Sequence, residues 1–484
     1  MKLIKKYLIV IVALFAAVFF TACTASVPTE QTKQPEEKHT FDVPEGGYDG
    51  SEVTVSFYHT MGANLSNVLN DYVKEFNKLY PNITITHQQV GSYDDVRDQI
   101  SKEITVGDQP NMAYCYPDHV ALYNDVEAVQ ALDDLIASTV EVERADGTTE
   151  ILGLTDEQIN DFIPAYYEEG RQFEDGLMYT LPFSKSTEVL YYNKTFFDIH
   201  DLNVPQTWDE LETLCARILE IDPDCIPLGY DSEANWFITL CEQYGSPYTT
   251  AKQKAHFLFV NDTNEQFIKK LRGWYQKGYI TTQSLYGSYT SGLFVNTKAG
   301  EQKSYMSIGS SAGATHQRPT PDDTGYPFEV GIATIPQVNP DKPKVISQGP
   351  SICIFAKQNK QEVLASWLFL KFLVTNVNFH ATFSTVSGYV PVIKSVNTNE
   401  NYKKFLDSAD GGDYIAALSA KVCLEQEEAY YTSPAFNGSS KARDEVGTLL
   451  SNCISANDWS EAEVDAKIHE AFINALEACA YFQN

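Results

Sequence analysis

Two successive strand–helix units near the start of the chain constrain its fold most strongly. Residues Val53–Tyr58 alternate in polarity and are rich in β-forming side chains, and Ile83–Val90 are predicted to form a second strand. Between them, Leu65–Leu79 place apolar residues at helical spacing, and a second helix is predicted from Tyr93 to about Val106. Strands that alternate with helices are typical of an α/β lobe with a largely parallel sheet.

A similar alternation resumes later in the chain and predicts a second lobe. Strands are predicted over Leu177–Phe183 and Glu188–Tyr192, and a helix over Thr207–Ile221, with Glu210 completing a capping box. Further strands and helices are predicted over Asn264–Gly278, Lys303–Ile308, Glu329–Ile335, Ser351–Ala356, Lys360–Thr375 and Glu461–Tyr481. A chain of 484 residues is also too long for one ordinary core.

The first 23 residues resemble a bacterial lipoprotein signal. Lys2, Lys5 and Lys6 precede the uncharged apolar run Tyr7–Phe20, and Cys23 follows two small residues. In such signals the cysteine becomes the lipid-carrying N-terminus. An uncleaved membrane anchor is the alternative, although the apolar run is at the short end for a span.

The lipoprotein interpretation gives the N-terminal region two parts. Residues 1–22 are predicted to be a signal peptide, and residues 23–50 a flexible linker with lipid on Cys23. The linker is rich in Pro, Glu, Thr and Gly and has few large apolar residues, which is typical of a tether. The protein is therefore predicted to lie at the extracellular face of a bacterial cytoplasmic membrane.

Charge and cysteine content exclude several kinds of partner. A formal net charge of −30 argues against binding nucleic acid or anionic lipid. The eight cysteines other than Cys23 form no CxxC pair and show no metal-ligand spacing, so neither a metal site nor a cofactor is predicted. Disulfides and buried free thiols both stay open for these eight residues.

Common catalytic motifs are absent from the sequence. There is no GxSxG, HExxH or GxxxxGK[ST] segment, and no two of the nine histidines lie four residues apart. A glycosidase needs two carboxylates across a cleft, which cannot be recognised among 65 acidic residues. The chain is predicted not to be an enzyme, with a secreted carbohydrate-active enzyme as the less favoured alternative.

Four segments, in order along the chain, resemble one family. Residues 53–79, followed by YPNITI, are similar to the first strand and helix of extracellular solute-binding proteins of ABC importers. Residues 175–193, DGLMYTLPFSKSTEVLYYN, resemble the segment that carries that family's chain into its second lobe. Residues 204–211 (VPQTWDEL) and 385–392 (TVSGYVPV) resemble its "P.TWdEl" and "GylPv" elements. Together they indicate family 1, the maltose-binding-protein-like branch.

The resemblance implies a type II periplasmic-binding-protein-like α/β fold. Each of two lobes is expected to contain a mixed, mainly parallel sheet flanked by helices, with a hinge cleft between the lobes. Lobe I is expected to comprise residues 51–165 plus 297–343, and lobe II residues 166–296 plus 344–425. The C-terminal helices, residues 426–484, are expected to pack across the lobes.

The ligand of this family lies in the cleft, and the resemblance implies which residues contact it. Sugars are bound by aromatic platforms and by polar side chains. Strand-end packing is the alternative for residues 58–61, and a core position is the alternative for Trp236. Ser92, Lys185 and Glu233 are neighbouring candidates. The predicted ligand-binding residues are Tyr58, His59, Met61, Tyr93, Tyr116, Asp118, Ser184, Asn235, Trp236, Ser310, Ser311, Gly313, Gly388, Tyr389, Phe436 and Asn437.

The implied function is that of a monomeric substrate-binding lipoprotein, which captures a sugar or oligosaccharide and delivers it to a membrane permease. A glycerol-phosphate ester is the alternative ligand. Binders of that ester tend to carry an arginine near the start of the C-terminal segment, where this chain has Ala435 and Phe436. Arg443 lies a helical turn or more later and is expected to point elsewhere, and this departure favours a neutral carbohydrate. A structural or adhesive lipoprotein would usually show repeats, which are absent.

Overall fold

The computed structural model describes residues 40–408 and 414–483. The first part of the chain contains β1 (Val53–His59), α1 (Ala63–Leu79), β2 (Ile83–Gln89), α2 (Tyr93–Ile104), β3 (Met112–Cys115), α3 (Pro117–Asn124), α4 (Asp133–Ile136), β4 (Glu141–Glu143), β5 (Thr149–Ile151), α5 (Asp156–Asp161), α6 (Pro164–Glu169), β6 (Leu181–Pro182) and β7 (Ser186–Asn193). The middle part contains α7 (Lys194–Ile199), α8 (Trp208–Ile221), β8 (Leu228–Tyr230), α9 (Glu233–Tyr244), α10 (Asp262–Gln276), β9 (Ile280–Thr282), α11 (Gln283–Tyr286), α12 (Ser291–Phe294), β10 (Met306–Ser310), β11 (Val330–Ala333) and β12 (Val345–Gln348). The last part contains β13 (Ser351–Ile354), α13 (Lys360–Val374), α14 (Val377–Ser387), α15 (Glu400–Leu406), α16 (Tyr414–Glu425), β14 (Tyr430–Tyr431), α17 (Ser439–Ser455) and α18 (Val464–Ala478).

The first lobe is built on a five-stranded sheet with the order β2-β1-β3-β13-β6. β1 pairs in parallel with β2 and β3, whereas β13 pairs in antiparallel fashion with β3 and β6. On β1, Val53, Val55 and Phe57 are buried on one face, as the alternating sequence predicts. The mostly buried helix α13 covers this sheet and packs against β1.

The second lobe is built on a seven-stranded sheet with the order β14-β12-β7-β10-β8-β9, in which β11 also pairs with β7. Only β7 runs antiparallel to its neighbours, while β10, β8 and β9 are mutually parallel. Thr207 caps α8 in the predicted capping box with Glu210. Two α/β lobes with mixed, mainly parallel sheets confirm the predicted fold class.

Strand pairing assigns two segments to lobes other than those expected. Residues 297–343, expected in lobe I, contain β10 and β11, which both pair with β7 in the second sheet. Residues 344–425, expected in lobe II, contain β13, which pairs with β3 in the first sheet. The chain crosses between the sheets at residues 183–185 and 349–350, so residues 186–348 belong to the second lobe without interruption.

The C-terminal helices lie mainly on the second lobe. α17 packs against α9 and α10, and α18 packs against α10 and α17. α17 also contacts α3 of the first lobe. This contact brings the start of α17 to the boundary between the lobes.

The folded body begins earlier than the predicted linker boundary at residue 50. The Phe41 backbone N–H donates to Asp134 Oδ2 at 2.7 Å, and Tyr48 is buried in the core of the first lobe. Residues 40–50 therefore pack against that lobe because they carry two aromatic anchors, which the overall polarity of the segment obscures.

Part of the N-terminal prediction lies outside the described residues. This holds for the signal peptide of residues 1–22, for Cys23 and for the linker up to residue 39, so these assignments stay predictions. Across residues 40–408 and 414–483, no helix is long and apolar enough to cross a bilayer. The eight cysteines in that part of the chain are all free and buried.

A buried ion pair joins the two crossings between the lobes. Lys185 lies in the first crossing, and its Nζ donates to Glu169 Oε1 at 2.7 Å. The same ammonium group donates at 3.2 Å to the carbonyl oxygen of Gly349, which lies in the second crossing. It also donates at 3.0 Å to Ser351 Oγ, directly after that crossing. Gly349 has φ of +93°, and a Cβ there would lie 2.5 Å from the Ser184 carbonyl oxygen. The two crossing segments thus lie closer together than any residue other than glycine at position 349 would permit.

Candidate functional site

A cavity of about 310 Å³ lies between the lobes, against the second crossing. The first lobe contributes Tyr116, Asp118 and Glu169 to its wall. The second lobe contributes residues from α9, from the loop after α9 and from the end of β12, and the segment between β14 and α17 covers it. Protein ligand sites typically measure roughly 300–1,000 Å³, so this cavity suits a small ligand.

A second cavity, of about 410 Å³, lies on the second lobe alone. Arg318, Tyr326 and Phe328 are among its lining residues, and the Arg318 guanidinium lies 3.8 Å from the centre of the Tyr326 ring. Because no described residue of the first lobe reaches it, movement of the lobes would not enclose a ligand there. The interlobe cavity is therefore the better candidate.

Tyrosine rings form the first-lobe side of the cavity. Tyr116 is the N-cap of α3 and lines the cavity. Its ring centre lies 4.7 Å from that of Tyr93, whose hydroxyl is 3.5 Å from the Tyr389 hydroxyl. Burial raises the pKa of Tyr93, Tyr116 and Tyr389, so these groups stay neutral phenols at physiological pH. The three predicted ligand-binding residues Tyr93, Tyr116 and Tyr389 therefore lie together, and Tyr116 is the one that lines the cavity.

Asp118 adds a carboxylate next to this aromatic group. It occupies the first turn of α3, where the partial positive charge of a helix N-terminus favours an anion. Asp118 Oδ1 accepts the backbone N–H of His119 at 3.1 Å. A carboxylate held in this way offers acceptor oxygens to ligand hydroxyl groups.

Three residues of the second lobe line the same cavity and carry hydroxyl groups that have no protein partner among the described residues. Within residues 40–408 and 414–483, no hydrogen-bond partner exists for Tyr248 Oη, Thr249 Oγ1 or Ser347 Oγ, and all three atoms are buried. A buried hydroxyl without a partner costs roughly 1–3 kcal/mol. A ligand with hydroxyl groups would satisfy these atoms, which makes this cluster the strongest chemical indication of what the cavity binds.

A chain of polar side chains runs from the cavity into the second lobe. Arg443 lines the cavity, and its Nη2 donates to Asn235 Oδ1. Asn235 Nδ2 in turn donates to Glu188 Oε1 at 2.9 Å, and the Tyr230 hydroxyl donates to Glu188 Oε2 at 2.5 Å. The predicted residue Asn235 thus lies in the cavity wall, between the Arg443 guanidinium at the cavity and the Glu188 carboxyl group inside the lobe.

The position of Arg443 differs from the expectation that it would point away from the cleft. Gly438, with φ of +103°, turns the chain directly before α17. Arg443 then lies one turn into α17, on the side that packs against α9. The departure that favoured a neutral carbohydrate therefore does not hold.

The predicted residues at the end of β1 do not line the cavity. His59 is fully buried, with Nε2 2.8 Å from His87 Nδ1, and its Nδ1 accepts the Met61 backbone N–H at 3.1 Å. Burial lowers the pKa of His59 to about 3, so the ring is neutral. Met61 is buried as well, and the Tyr58 hydroxyl donates to Glu103 on α2. These side chains are already partnered inside the first lobe.

Trp236 and Phe436 also lie in cores rather than in the cavity. Trp236 is fully buried and stacks on Tyr230, with ring centres 4.4 Å apart and an interplanar angle of 11°. Phe436 is buried and stacks on His256 at 4.5 Å. On α9, Asn235 faces the cavity, while the next residue points into the lobe because successive helical side chains are about 100° apart.

The predicted residues Ser310, Ser311 and Gly313 lie in one Gly/Ser-rich turn, whose serine hydroxyl groups accept backbone N–H groups of the second lobe. Ser310 Oγ accepts the Ala312 backbone N–H at 3.3 Å, and Ser311 Oγ accepts the Thr187 backbone N–H at 3.1 Å. Gly313 is half-buried in the same turn. Gly388, with φ of +73°, is in ordinary van der Waals range of this turn, since a Cβ there would lie 3.5 Å from the Ala312 carbonyl oxygen. The turn is therefore a contact between lobes outside the cavity.

Two further predicted residues lie at the edge of the cleft. Ser184 is buried in the first crossing, where its N–H donates to the Pro350 carbonyl oxygen. Asn437 Nδ2 donates to Asp125 Oδ2 and so bridges the lobes beside the cavity.

The three neighbouring candidates have structural partners instead. Ser92 caps α2 with Asp95. Glu233 accepts both the backbone N–H and the hydroxyl of Ser284. Lys185 belongs to the buried pair of the hinge.

Glu169, Tyr248, Thr249 and Ser347 were missed by the sequence-based prediction. None belongs to a recognised motif, and they come together only because the two crossings fold against each other. The one usable signal was Gly349–Pro350 between two strand-like segments, which marks a break where a chain could change sheets.

Replacing Glu188 with glutamine should flatten the pH dependence of stability. Burial raises the pKa of Glu188 from 4.5 to about 7, although hydrogen bonds from Tyr230 and Asn235 oppose the shift. Folding therefore takes up a proton between these values, and the wild-type free energy of unfolding should fall by about 3 kcal/mol as the pH rises through this window. Urea unfolding from pH 4.5 to 8 measures the effect. Glu220→Gln, an exposed control, should keep the wild-type slope, and an unchanged slope in Glu188→Gln would contradict the assignment.

Comparison with known proteins shows which proteins this chain is similar to. A family model described as bacterial extracellular solute-binding protein matches residues 71–406. The maltotriose-binding protein of Pyrococcus abyssi is 21% identical over 359 residues, which cover 72% of this chain and 68% of that relative. The sn-glycerol-3-phosphate-binding periplasmic protein UgpB of Escherichia coli K12 is 21% identical over 373 residues, or 74% of this chain and 79% of that relative.

The fold has solved counterparts. The crystal structure of the cyclic alpha-maltosyl-1,6-maltose binding protein from Arthrobacter globiformis aligns with a TM-score of 0.67. The alignment covers 89% of this chain and 99% of that protein at 20% sequence identity. This likeness supports the same two-lobe architecture and, at that identity, nothing finer.

Proposed function

We propose that this chain, which belongs to the family of bacterial extracellular solute-binding proteins, captures a sugar or short oligosaccharide between its lobes for an ABC importer. The three hydroxyl groups of Tyr248, Thr249 and Ser347 carry the proposal, because they belong to residues that line one cavity and lack a protein partner within the described residues. A polyhydroxylated ligand supplies both the donors and the acceptors that these groups need.

The opposite wall supports the same ligand class. Tyr116 offers an aromatic face, on which the C–H groups of a sugar ring can pack. Asp118 offers acceptor oxygens to hydroxyl groups at the ring edge. Because the two kinds of contact come from different lobes, a bound sugar favours the closed arrangement.

A glycerol-phosphate ester is the second candidate, and Arg443 favours it. The guanidinium group lines the cavity and, within the described residues, no carboxylate forms an ion pair with it. Arginine is well suited to bind phosphate oxygens in pairs. The UgpB relative is named as a binder of sn-glycerol 3-phosphate.

Capture without catalysis is the proposed mode of action. Asp118 and Glu169 are both carboxylates of the cavity wall, but Glu169 is engaged with Lys185 and Ser351. A glycosidase requires one carboxylic acid that is free to donate a proton to the leaving group. The bound ligand would pass unchanged to a membrane permease, with the protein held by lipid on Cys23 at the extracellular face of the cytoplasmic membrane.

Ligand-dependent stabilisation tests the proposal. We expect the melting temperature of the purified protein to rise with maltotriose or another short oligosaccharide, or with sn-glycerol 3-phosphate if the second candidate is correct. A ligand at 100 times its Kd stabilises the folded state by about 2.7 kcal/mol. Chromatography of the same samples should show no product.

A matched pair of variants separates the cavity from unspecific effects. Asp118→Ala should abolish the ligand-dependent shift, whereas Asp71→Ala, an exposed carboxylate of the first lobe, should preserve it. Absence of any shift across sugars and phosphate esters would refute capture of either class. Turnover of an oligosaccharide would refute the non-enzymatic role.

A further inference from the structure

Asn235 makes hydrogen bonds in two opposite directions. Its side-chain oxygen accepts from Arg443 at the cavity, and its side-chain nitrogen donates to Glu188 inside the lobe. An amide cannot rotate to satisfy only one of these groups without losing the other, because its donor and acceptor sides are distinct. The amide therefore fixes the guanidinium relative to a carboxyl group that never touches the cavity.

Glu188 has surroundings that leave it little freedom. It is fully buried on β7, and the Tyr230 hydroxyl from β8 donates to its second carboxyl oxygen. The other ionisable groups that act on it are Asp231 after β8, Tyr431 on β14 and Arg443 on α17. Arg443 is the only cation among these described neighbours, and it opposes the effect of burial on the Glu188 pKa.

We propose that Glu188 is a positioning residue of the ligand cavity, which orients Asn235 and through it holds the Arg443 guanidinium in place for the ligand. This inference rests on the proposed function only in taking the interlobe cavity as the ligand site. Arg443 and Asn235 touch the ligand in this arrangement, whereas Glu188 acts through them. The relay also makes the charge near the guanidinium depend on one buried carboxyl group.

The relay can be tested without a ligand. In protein labelled with 15N-arginine, the Arg443 Nε–Hε signal is identified by its absence in Arg443→Lys. We expect this signal to move between pH 5 and 9 with the titration of Glu188. The movement should disappear in Glu188→Gln and should shrink in Asn235→Ala, where only the hydrogen-bonded path is lost. It should persist in Glu242→Gln, a control that replaces another glutamate of α9.

Two results would overturn the relay. One is an Arg443 signal that does not change with pH in the wild type, and the other is the same titration in Glu188→Gln. Near-ultraviolet circular dichroism confirms that each variant is folded. If Asn235→Ala fails this test, Asn235→Leu replaces it, because leucine has a similar volume, does not titrate and likewise lacks the amide that joins Glu188 to Arg443.

Binding measurements then separate this inference from the proposed function. For whichever panel ligand stabilises the wild type, Asn235→Ala should raise the Kd about tenfold or more, and Glu242→Gln should not change it. An equal Kd in Asn235→Ala and the wild type would overturn the role in ligand binding. A panel without any binder would refute the proposed function, while the NMR titration would still decide the relay.

Discussion

Replacing Lys185 with methionine should destabilise the folded protein by about 3–5 kcal/mol, because it leaves the Glu169 carboxylate buried without its cation. The Lys185 side chain is fully buried, and only 4% of the Glu169 side chain is accessible. Lys185 Nζ also donates to Ser351 Oγ and to the Gly349 carbonyl oxygen. All of these groups lie where the chain crosses between the lobes, so the loss should loosen the hinge.

Urea unfolding of three variants checks this expectation. Lys74→Met removes an exposed lysine that pairs with Asp71, and it should cost less than about 1 kcal/mol. The double variant Lys185→Met/Glu169→Leu should recover most of the lost stability, because no unpaired charge is then buried. A loss below 1 kcal/mol in Lys185→Met alone would show that Glu169 finds water or another partner.

The double variant also bears on ligand binding, because it removes the Glu169 carboxylate. Glu169 lines the ligand cavity as well as anchoring the hinge. A ligand that hydrogen-bonds to this carboxylate would therefore act directly on the junction between the lobes. Under the proposed function, hinge closure and ligand capture would share the Glu169 side chain, which would link the stability of the crossing segments to binding.

The local elements of the fold were predictable from the sequence. Alternation on β1, helical spacing on α1 and the capping box at Thr207 are all properties of neighbouring residues, and the structure contains each of them. The number of lobes followed from chain length and from the second run of alternating elements. Such features need no knowledge of distant contacts.

The lobe boundaries were not predictable in the same way. β10 and β11 have the sequence of ordinary strands and would fit either sheet, but both pair with β7. β13 lies only two residues after β12 in the chain and yet belongs to the other sheet. Sheet membership depends on pairing across long sequence separations, and a strand pattern carries no label for its partner.

The candidate site shows the same division. Tyr116, Asp118 and Asn235 were predicted from the family resemblance, and the structure places each at or near a helix start that faces the boundary of the lobes. Arg443 was judged to point away because distance along the chain was taken for distance in space. The turn at Gly438 and the packing of α17 on α9 remove that distance.

Trp236 gives the clearest reversal of a sequence-based expectation. As an aromatic platform for a sugar, it would lose affinity on replacement by alanine while the fold stayed intact. Within the lobe, however, the indole is fully buried, stacks on Tyr230 and lies 5.9 Å from the ring centre of Trp208. Trp236→Ala should therefore destabilise the protein by about 3–5 kcal/mol through lost contacts and the cavity left behind.

Urea unfolding separates these two roles of Trp236. The control Tyr289→Ala removes an aromatic side chain that is 65% exposed in the same lobe, and it should stay within about 0.5 kcal/mol of the wild type. An unchanged unfolding midpoint in Trp236→Ala, together with a weakened ligand-dependent shift, would return Trp236 to the ligand site. Trp236 follows Asn235 on α9, so a one-residue shift in the register of that helix would exchange their environments. Trp236→Ala and Asn235→Ala together therefore also test the placement of α9 against the cavity.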